Sequence, residues 1–140
     1  MTSVLLIGAG AVVDEHYVAP LRRLEKAGAV EVLAVADPNA DRAGAVAKRF
    51  KAARPYPDAE SALSAGSYTL AIVASPPGLH ADHACTAFQH GLNVLCEKPM
   101  TTTTADANRM NAAAAAAGRI LGVAFPRRFY ANFADVAKLI

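Results

Sequence analysis

The sequence predicts an α/β fold, a doubly wound parallel sheet in a single domain. Two observations favour this class: short apolar runs alternate with amphipathic stretches along the 140 residues, and the first run ends in the glycine-rich turn Gly8-Ala9-Gly10. Strands that alternate with helices favour a parallel sheet covered on both faces. Hydrophobic residues make up 54% of the chain, enough for the core of one ordinary domain.

Six apolar runs predict strands. Residues 3–7 are apolar throughout, as expected for a strand buried on both faces. Residues 55–57 contain two prolines and are expected at a sheet edge. The predicted strands cover residues 3–7, 31–36, 55–57, 69–74, 92–96 and 119–125.

Helices are predicted between these strands, with Asn39, Asp58 and the threonine run 101–104 as N-caps and Gly28, Gly91 and Gly118 as stops. In the first helix, Tyr17, Leu21 and Leu24 form the predicted apolar face. The predicted helices cover residues 13–27, 39–50, 58–65, 77–90 and 130–140, and a further helix runs from the threonine run 101–104 through the alanine run 112–117.

Charge and composition argue against several classes of partner. The net charge is +2 and the Lys and Arg residues are scattered, so we expect neither nucleic acid nor an anionic membrane as partner. The apolar stretch 4–13 is too short to span a bilayer and lacks the charged start of a signal peptide, which predicts a soluble cytoplasmic protein. Cys85 and Cys96 lack metal or redox spacing and are expected to be reduced thiols, mostly buried.

The glycine-rich turn is a candidate phosphate site. It follows a predicted strand and opens a predicted helix, whose first N–H groups and dipole attract an anion. Gly8 permits the tight turn, Gly10 lets a pyrophosphate approach the backbone, and Ala11 and Val12 supply the next N–H groups. The third position of this fingerprint is ordinarily Gly or Ala, whereas the chain has Val13.

Asp37 ends the second strand, where this type of fold places an acid for the ribose hydroxyls. A carboxylate there accepts hydrogen bonds from the ribose diol and repels a 2′-phosphate, which favours NAD over NADP. Arg42 lies nearby and can still admit NADP. The alternative is that Asp37-Pro38-Asn39 is only a turn.

Two further motifs follow at strand ends. Ser75-Pro76-Pro77 with His80 follows the fourth strand, and Glu97-Lys98-Pro99 follows the fifth. The order Gly-x-Gly with His16 downstream, strand-terminal Asp37, Ser-Pro-Pro-x-x-His and Glu-Lys-Pro resembles the glucose–fructose oxidoreductase, inositol dehydrogenase and rhizopine catabolism family (Gfo/Idh/MocA). The resemblance covers essentially the whole chain.

The resemblance implies hydride transfer between a nicotinamide cofactor and a sugar, polyol or related secondary alcohol. Lys98 is the implied catalytic residue, beside the nicotinamide and the substrate hydroxyl, and the alternative is a surface lysine that begins a loop. Glu97 and Arg128 are implied to contact the cofactor or orient Lys98. The predicted cofactor-binding residues are Gly8, Gly10, Ala11, Val12, Asp37, Ser75, Pro76, His80, Glu97, Lys98 and Arg128.

Neither a catalytic histidine nor a histidine metal site is predicted. His16 is expected to pack or cap rather than react. His80 and His83 have helical i, i+3 spacing, but no third ligand stands out, so no metal site is predicted.

The family's members are usually more than twice this length, so the resemblance implies that a C-terminal α/β substrate domain is missing. Residues 1–125 are predicted to form the NAD(P)-binding Rossmann domain, and 126–140 to begin the connection to that domain. Such a chain alone is expected to be catalytically incomplete. Phe129, Phe133 and Leu139 predict a docking or homo-oligomer surface at 125–140.

Three interpretations stay open from the sequence. The first is the nucleotide-binding portion of an NAD(P)-dependent oxidoreductase. The second is a non-enzymatic dinucleotide-binding module or a subunit completed by another chain. The third is another nucleotide user on the same fold, such as an S-adenosylmethionine binder, which leaves Glu97-Lys98-Pro99 unexplained.

Overall fold

Six parallel strands form one sheet in the computed structural model, which describes residues 1–130 of the chain. In chain order the strands are β1 (Thr2–Ile7), β2 (Val30–Ala36), β3 (Arg54–Tyr56), β4 (Leu70–Val73), β5 (Asn93–Cys96) and β6 (Leu121–Val123). Their order across the sheet is β3-β2-β1-β4-β5-β6, and every neighbouring pair is parallel. The doubly wound parallel sheet is confirmed, with the proline-containing strand at an edge.

Five α-helices connect the strands, and three shorter turns of helix accompany them. The helices are α1 (Val18–Lys26), α2 (Ala40–Ala47), α3 (Ala59–Ala65), α4 (His80–Gln89) and α5 (Thr104–Ala117). A π-helical turn at Val13–Tyr17 precedes α1, a 3-10 turn at Pro77–Leu79 precedes α4, and another lies at Pro126–Phe129.

The predicted helix caps are confirmed. The Asn39 side chain accepts a hydrogen bond from the Arg42 N–H, and the Asp58 side chain accepts one from the Ser61 N–H. Thr103, within the predicted threonine run, caps α5. These contacts satisfy N–H groups that have no partner within the helix.

The core consists of two apolar layers, one on each face of the sheet. Along β1, Leu5 and Ile7 point into the layer that contains α3, α4 and α5, whereas Val4 and Leu6 point into the layer that contains α1 and α2. All four side chains are almost completely buried. This explains why the β1 sequence is apolar throughout instead of alternating.

The structure corrects several details of the prediction. Leu24 is 43% exposed, because Val18 and Leu21 form the buried face of α1. Helix α2 ends at Ala47 rather than at residue 50, and β6 is shorter than 119–125. Of the predicted helix 130–140, residues 131–140, with Phe133 and Leu139, lie outside the described residues, and Tyr130 has extended backbone. Phe129 is described and is 87% exposed.

Adjacent strands β1 and β4 send their chains to opposite faces of the sheet, which makes their carboxyl ends the topological switch point. The loops after β1, β2, β4 and β5 therefore meet at one edge of the sheet. Within residues 1–130, no helix is long and apolar enough to cross a membrane.

Candidate functional site

A groove of about 520 Å³ opens at this edge of the sheet, between the loops that follow β1, β2, β3 and β4. Its size is that of a small-molecule or cofactor site. Predicted cofactor-binding residues that line it are Gly8, Gly10, Ala11, Val12, Asp37, Ser75 and Pro76, and further lining residues include Pro38, Arg42, Asp58, Leu79 and His83.

Gly8 follows β1 and lies between the carboxyl ends of β2 and β4 at the base of the groove. Its N–H donates to the Ala36 carbonyl at 2.8 Å, and its φ of +104° lies in the region that favours glycine. A Cβ at this position would lie 2.5 Å from the Ala74 carbonyl oxygen and 2.8 Å from the Ser75 nitrogen. The loop after β4 is thus packed against the glycine turn, and only glycine permits that approach.

Gly10 faces open space instead. A Cβ added there would meet no protein atom within 4 Å, so the backbone at Gly10 is accessible from the groove. The following π-helical turn begins at Val13, whose side chain is fully buried in the apolar layer. A π-turn is wider than an α-turn, which fits a bulky residue at the position where the fingerprint ordinarily has Gly or Ala.

Asp37 has a buried carboxylate that holds the glycine turn. Its Oδ2 accepts the Ala9 N–H at 2.8 Å, and its Oδ1 accepts the Asn39 N–H at 2.8 Å and Arg42 Nη2 at 3.2 Å. The Asn39 contact is the turn that the alternative interpretation expected. Three of roughly four acceptor sites on the carboxylate are occupied, so a ribose diol can form both hydrogen bonds only if Arg42 moves away.

The loop after β4 contributes Ser75 and, from α4, His83. Ser75 Oγ and His83 Nδ1 are 2.8 Å apart, and both residues line the groove. Burial is the main cause that lowers the pKa of His83.

His80 lies beneath the groove rather than on its wall. Its ring is 1% exposed, and its nitrogens contact two backbone oxygens, Ser75 O at 2.7 Å and Pro99 O at 3.0 Å. The structure therefore does not place the His80 ring against a ligand in the groove; the ring links the loop after β4 to the loop after β5.

The Glu97-Lys98-Pro99 loop lies beside the groove but does not line it. Glu97 Oε1 accepts the Tyr17 hydroxyl at 2.8 Å, and Glu97 Oε2 accepts the Lys98 N–H at 3.0 Å. The Lys98 side chain is exposed, and within residues 1–130 its amine has no hydrogen bond or ion pair. The Lys98–Pro99 peptide is cis.

Two more predicted residues lie away from the groove. Arg128 is exposed in the 3-10 turn Pro126–Phe129. His16 was expected to pack or cap, which is wrong: its side chain is 68% exposed, and it lies 3.9 Å from the neighbouring Glu15 carboxylate.

Neither cysteine has features of a reactive centre. Both are free thiols, and burial raises the pKa of Cys96 to about 12. Among residues 1–130, no group of three or more His, Cys, Asp or Glu side chains is placed to hold a metal ion.

Comparison with known proteins identifies the family. The family model GFO_IDH_MocA, described as "Oxidoreductase family, NAD-binding Rossmann fold", matches residues 2–125. The chain belongs to this family. The Gfo/Idh/MocA resemblance and the nucleotide-binding fold inferred from the motifs are thereby confirmed.

Curated relatives in this Gfo/Idh/MocA family include inositol dehydrogenases. The chain is 34% identical over 120 residues to scyllo-inositol 2-dehydrogenase (NADP(+)) IolU of Bacillus subtilis, covering 84% of this chain and 37% of the relative. It is 38% identical over 126 residues to inositol 2-dehydrogenase of Acidothermus cellulolyticus, covering 89% of this chain and 36% of the relative. The chain thus spans less than two fifths of the length of either protein.

A solved structure supports the fold. The WlbA dehydrogenase of Bordetella pertussis, crystallised with NADH and UDP-GlcNAcA, superimposes with a TM-score of 0.89 at 29% identity. The match covers 98% of this chain and 41% of that protein.

Sequence reasoning missed the contacts of two residues at or beside this candidate site. Tyr17 was interpreted as a core residue, but its hydroxyl binds Glu97 across the site. His83 was weighed only as half of a metal pair, although it lies on the groove wall one helical turn after His80. The sequence shows the i, i+3 spacing, but the path of the loop after β4 determines which of the two rings is buried and which lines the groove.

Proposed function

We propose that this chain is the dinucleotide-binding portion of an NAD(P)-dependent oxidoreductase that transfers hydride to or from a sugar, polyol or related secondary alcohol. The observation that carries the proposal is the groove at the switch point, where the glycine turn and Asp37 line one wall. Anionic cofactors favour such a site because helix N–H groups and the helix dipole point at it.

The proposed pyrophosphate position is the open face of the turn. Gly10 leaves space for the phosphates, and the N–H groups of Ala11 and Val12 begin the helix there. Ser75 and Pro76 form the facing wall of the groove. The Asp37 carboxylate is proposed to bind the adenosine ribose.

NAD is the proposed cofactor, with NADP as the alternative. A 2′-phosphate would approach the Asp37 carboxylate, which is unfavourable unless the Arg42 guanidinium lies between them. Arg42 is half-exposed and 3.2 Å from Asp37, so it can rotate toward such a phosphate. The chemistry that bound nicotinamide supplies is reversible acceptance of a hydride.

Lys98 is the proposed catalytic residue. An exposed ammonium without a partner in residues 1–130 can donate a hydrogen bond to a substrate hydroxyl and stabilise a developing alkoxide. Glu97 positions the loop through the Lys98 N–H. His80 is proposed to hold the same loop through Pro99, and Arg128 to approach the cofactor from the loop after β6.

The proposed substrates and partners follow from the relatives. Two of them act on inositols, and the WlbA structure holds a nucleotide-linked sugar acid, which supports a polyhydroxylated substrate. We propose that a further substrate domain completes the site after residues 126–140, and that a second copy or that domain covers the exposed Phe125 and Phe129. A cytoplasmic location is proposed because both cysteines are free thiols.

The test is titration of the chain with NADH, in which binding is measured from the change in NADH fluorescence. We expect saturable binding with a dissociation constant from micromolar to millimolar, and the competing S-adenosylmethionine should not displace NADH. No saturable signal up to several millimolar would refute the proposal. With a panel of polyols and sugars and NAD, we expect no turnover from this chain alone, because the residues facing Lys98 from a substrate domain are not supplied.

A further inference from the structure

We propose that His83 is a dinucleotide-binding residue whose imidazole takes up a proton when the cofactor binds. The inference rests on the proposed dinucleotide site, and it adds a residue and a proton to it. Neither the glycine fingerprint nor the Glu-Lys-Pro motif contains this histidine.

The position of His83 beside the phosphates follows from three contacts. A Cβ built on Gly8 would lie 2.8 Å from the Ser75 nitrogen, so Ser75 lies against the glycine turn. Ser75 Oγ is 2.8 Å from His83 Nδ1. His83, Ser75, Gly8 and Gly10 all line the same groove. A pyrophosphate on the N–H groups of that turn would therefore lie within a few ångströms of the Ser75–His83 pair, well inside the range of about 10 Å over which salt screens charges.

The neutral ring is the expected state before the cofactor binds. Burial is the largest influence and lowers the pKa of His83, the Asp82 carboxylate raises it, and the His80 ring lowers it again. Across the groove the other charged groups are Asp37, Arg42 and Asp58. Asp37 already accepts hydrogen bonds from three donors. Hydrogen bonds from Ser61 lower the pKa of Asp58, so this carboxylate does not compete for the proton near neutral pH.

Protonation changes what the pair can offer to a phosphate. A neutral His83 can accept the Ser75 hydroxyl proton at Nδ1, which leaves Ser75 without a donor for the groove. In the imidazolium, Nδ1–H donates to Ser75 Oγ instead, and the Ser75 hydroxyl can donate to a phosphate oxygen. The negative phosphates favour the imidazolium, so binding raises the proton affinity of the ring and a proton is taken from solvent.

The sign of the pH dependence follows directly. If the bound complex holds the proton more tightly than the free protein, affinity rises as the pH falls through the pKa of His83 in the complex. A rise of about half a unit in that pKa corresponds to roughly threefold tighter binding. We therefore expect NAD to bind more tightly as the pH falls from about 8, with the gain approaching about threefold once the pH is below the pKa of His83 in the free protein.

The experiment is isothermal titration calorimetry of the full chain with NAD, in two buffers of different ionisation enthalpy at about pH 6.5. The difference between the buffers gives the number of protons taken up for each NAD bound. For a rise of about half a unit in the pKa of His83, we expect a measurable uptake of up to about a quarter of one proton by the wild type. His83→Gln should take up almost none and should have an affinity that no longer depends on pH.

The matched control is His90→Gln, which removes the exposed histidine at the end of α4, away from the groove. This variant should retain both the proton uptake and the pH dependence. Equal proton uptake in His83→Gln and wild type, with NAD still bound, would overturn the role of His83 alone. Absence of NAD binding by every protein at every pH would overturn the dinucleotide site itself.

Nuclear magnetic resonance provides the second measurement, which does not depend on the variant folding. The chain has four histidines, so the ring signals of wild-type protein can be followed separately against pH with and without NAD. The His83 signal should titrate at higher pH in the complex. An unchanged midpoint for His83 would refute the proposal.

Discussion

The candidate site has two halves: the glycine half, which is the turn 8–12 with Asp37, and the lysine half, which is the loop 97–99. They differ in how their functional groups are held. In the glycine half, Gly8 and Asp37 are fixed by short hydrogen bonds and close backbone contacts inside the core. In the lysine half, the backbone of Glu97 and Lys98 is held, but the Lys98 amine is exposed and unpaired within residues 1–130. One half is preorganised by folding, whereas the other presents a group that only a ligand or another protein segment can engage.

This difference predicts that substitutions in the glycine half change stability and binding together, whereas those in the lysine half change chemistry and leave the fold intact. Preorganised groups need little rearrangement to bind, because the conformational entropy of ordering them is already lost on folding. An exposed amine without a hydrogen bond or ion pair in the described residues contributes little to folding.

Gly8→Ala should have the largest effect. The added Cβ would lie 2.5 Å from the Ala74 carbonyl oxygen, at a φ of +104° that an L residue rarely adopts. We expect a loss of about 2–4 kcal/mol in the free energy of unfolding, measured by urea denaturation. Gly10→Ala is the control: its Cβ meets nothing within 4 Å, so stability should change little while NADH affinity falls, because the methyl group occupies the groove. Equal stability of the two variants would contradict the structure.

Asp37→Ala should have the next largest effect, on both stability and cofactor choice. It leaves the buried Ala9 N–H without its acceptor, which costs about 1–3 kcal/mol. It also removes the negative charge that disfavours a 2′-phosphate, so the ratio of NADPH to NADH affinity should rise. Asp41→Ala, an exposed change in the first turn of α2, should alter neither quantity. If the affinity ratio did not change, Asp37 would serve only the turn.

Tyr17→Phe tests the contact between the halves. The variant loses the hydroxyl that Glu97 Oε1 accepts, with an expected cost of about 1 kcal/mol at neutral pH. In the wild type, burial and the Glu97 carboxylate raise the pKa of Tyr17 well above its usual value. The neutral phenol therefore stabilises the fold below about pH 10, and this contribution is lost as the pH rises further.

The measurement is urea unfolding at about pH 7 and about pH 10.5. The stability difference between wild type and Tyr17→Phe should be greatest at about pH 7, where the Tyr17 phenol is neutral in both the folded and the unfolded chain. It should be smaller at about pH 10.5, where the phenol of the unfolded chain is partly ionised while burial and Glu97 keep the folded phenol neutral. Equal stability of Tyr17→Phe and wild type at neutral pH would show that the bridge to Glu97 contributes nothing.

The fold was predictable from the sequence because its evidence is local. The apolar runs, the caps Asn39 and Asp58, and the glycine turn each specify their element within a few residues, and the parallel order follows from their alternation. The residues that line the groove were predictable for the same reason, since they follow strand ends that must meet at one edge.

The contacts between loops were not predictable in this way. His80 and His83 are both in the motif region, and only the path of the loop after β4 decides that the first is buried and the second faces the groove. Tyr17 meets Glu97 across 80 positions of sequence, and the turn that directs Tyr17 there is π-helical, which periodicity does not reveal.

Lys98→Met should have the smallest effect on the folded chain, and it is the sharpest test of the comparison. Because the Lys98 amine is exposed and unpaired within residues 1–130, the free energy of unfolding should change by less than about 0.5 kcal/mol. NADH affinity should also change little, since the amine does not line the groove. Lys51→Met, at an exposed lysine far along the chain from the site, is the matched control for loss of one surface charge. If Lys98→Met weakened NADH binding tenfold while Lys51→Met did not, the amine would reach the cofactor without any further protein segment, and the lysine half would be as preorganised as the glycine half.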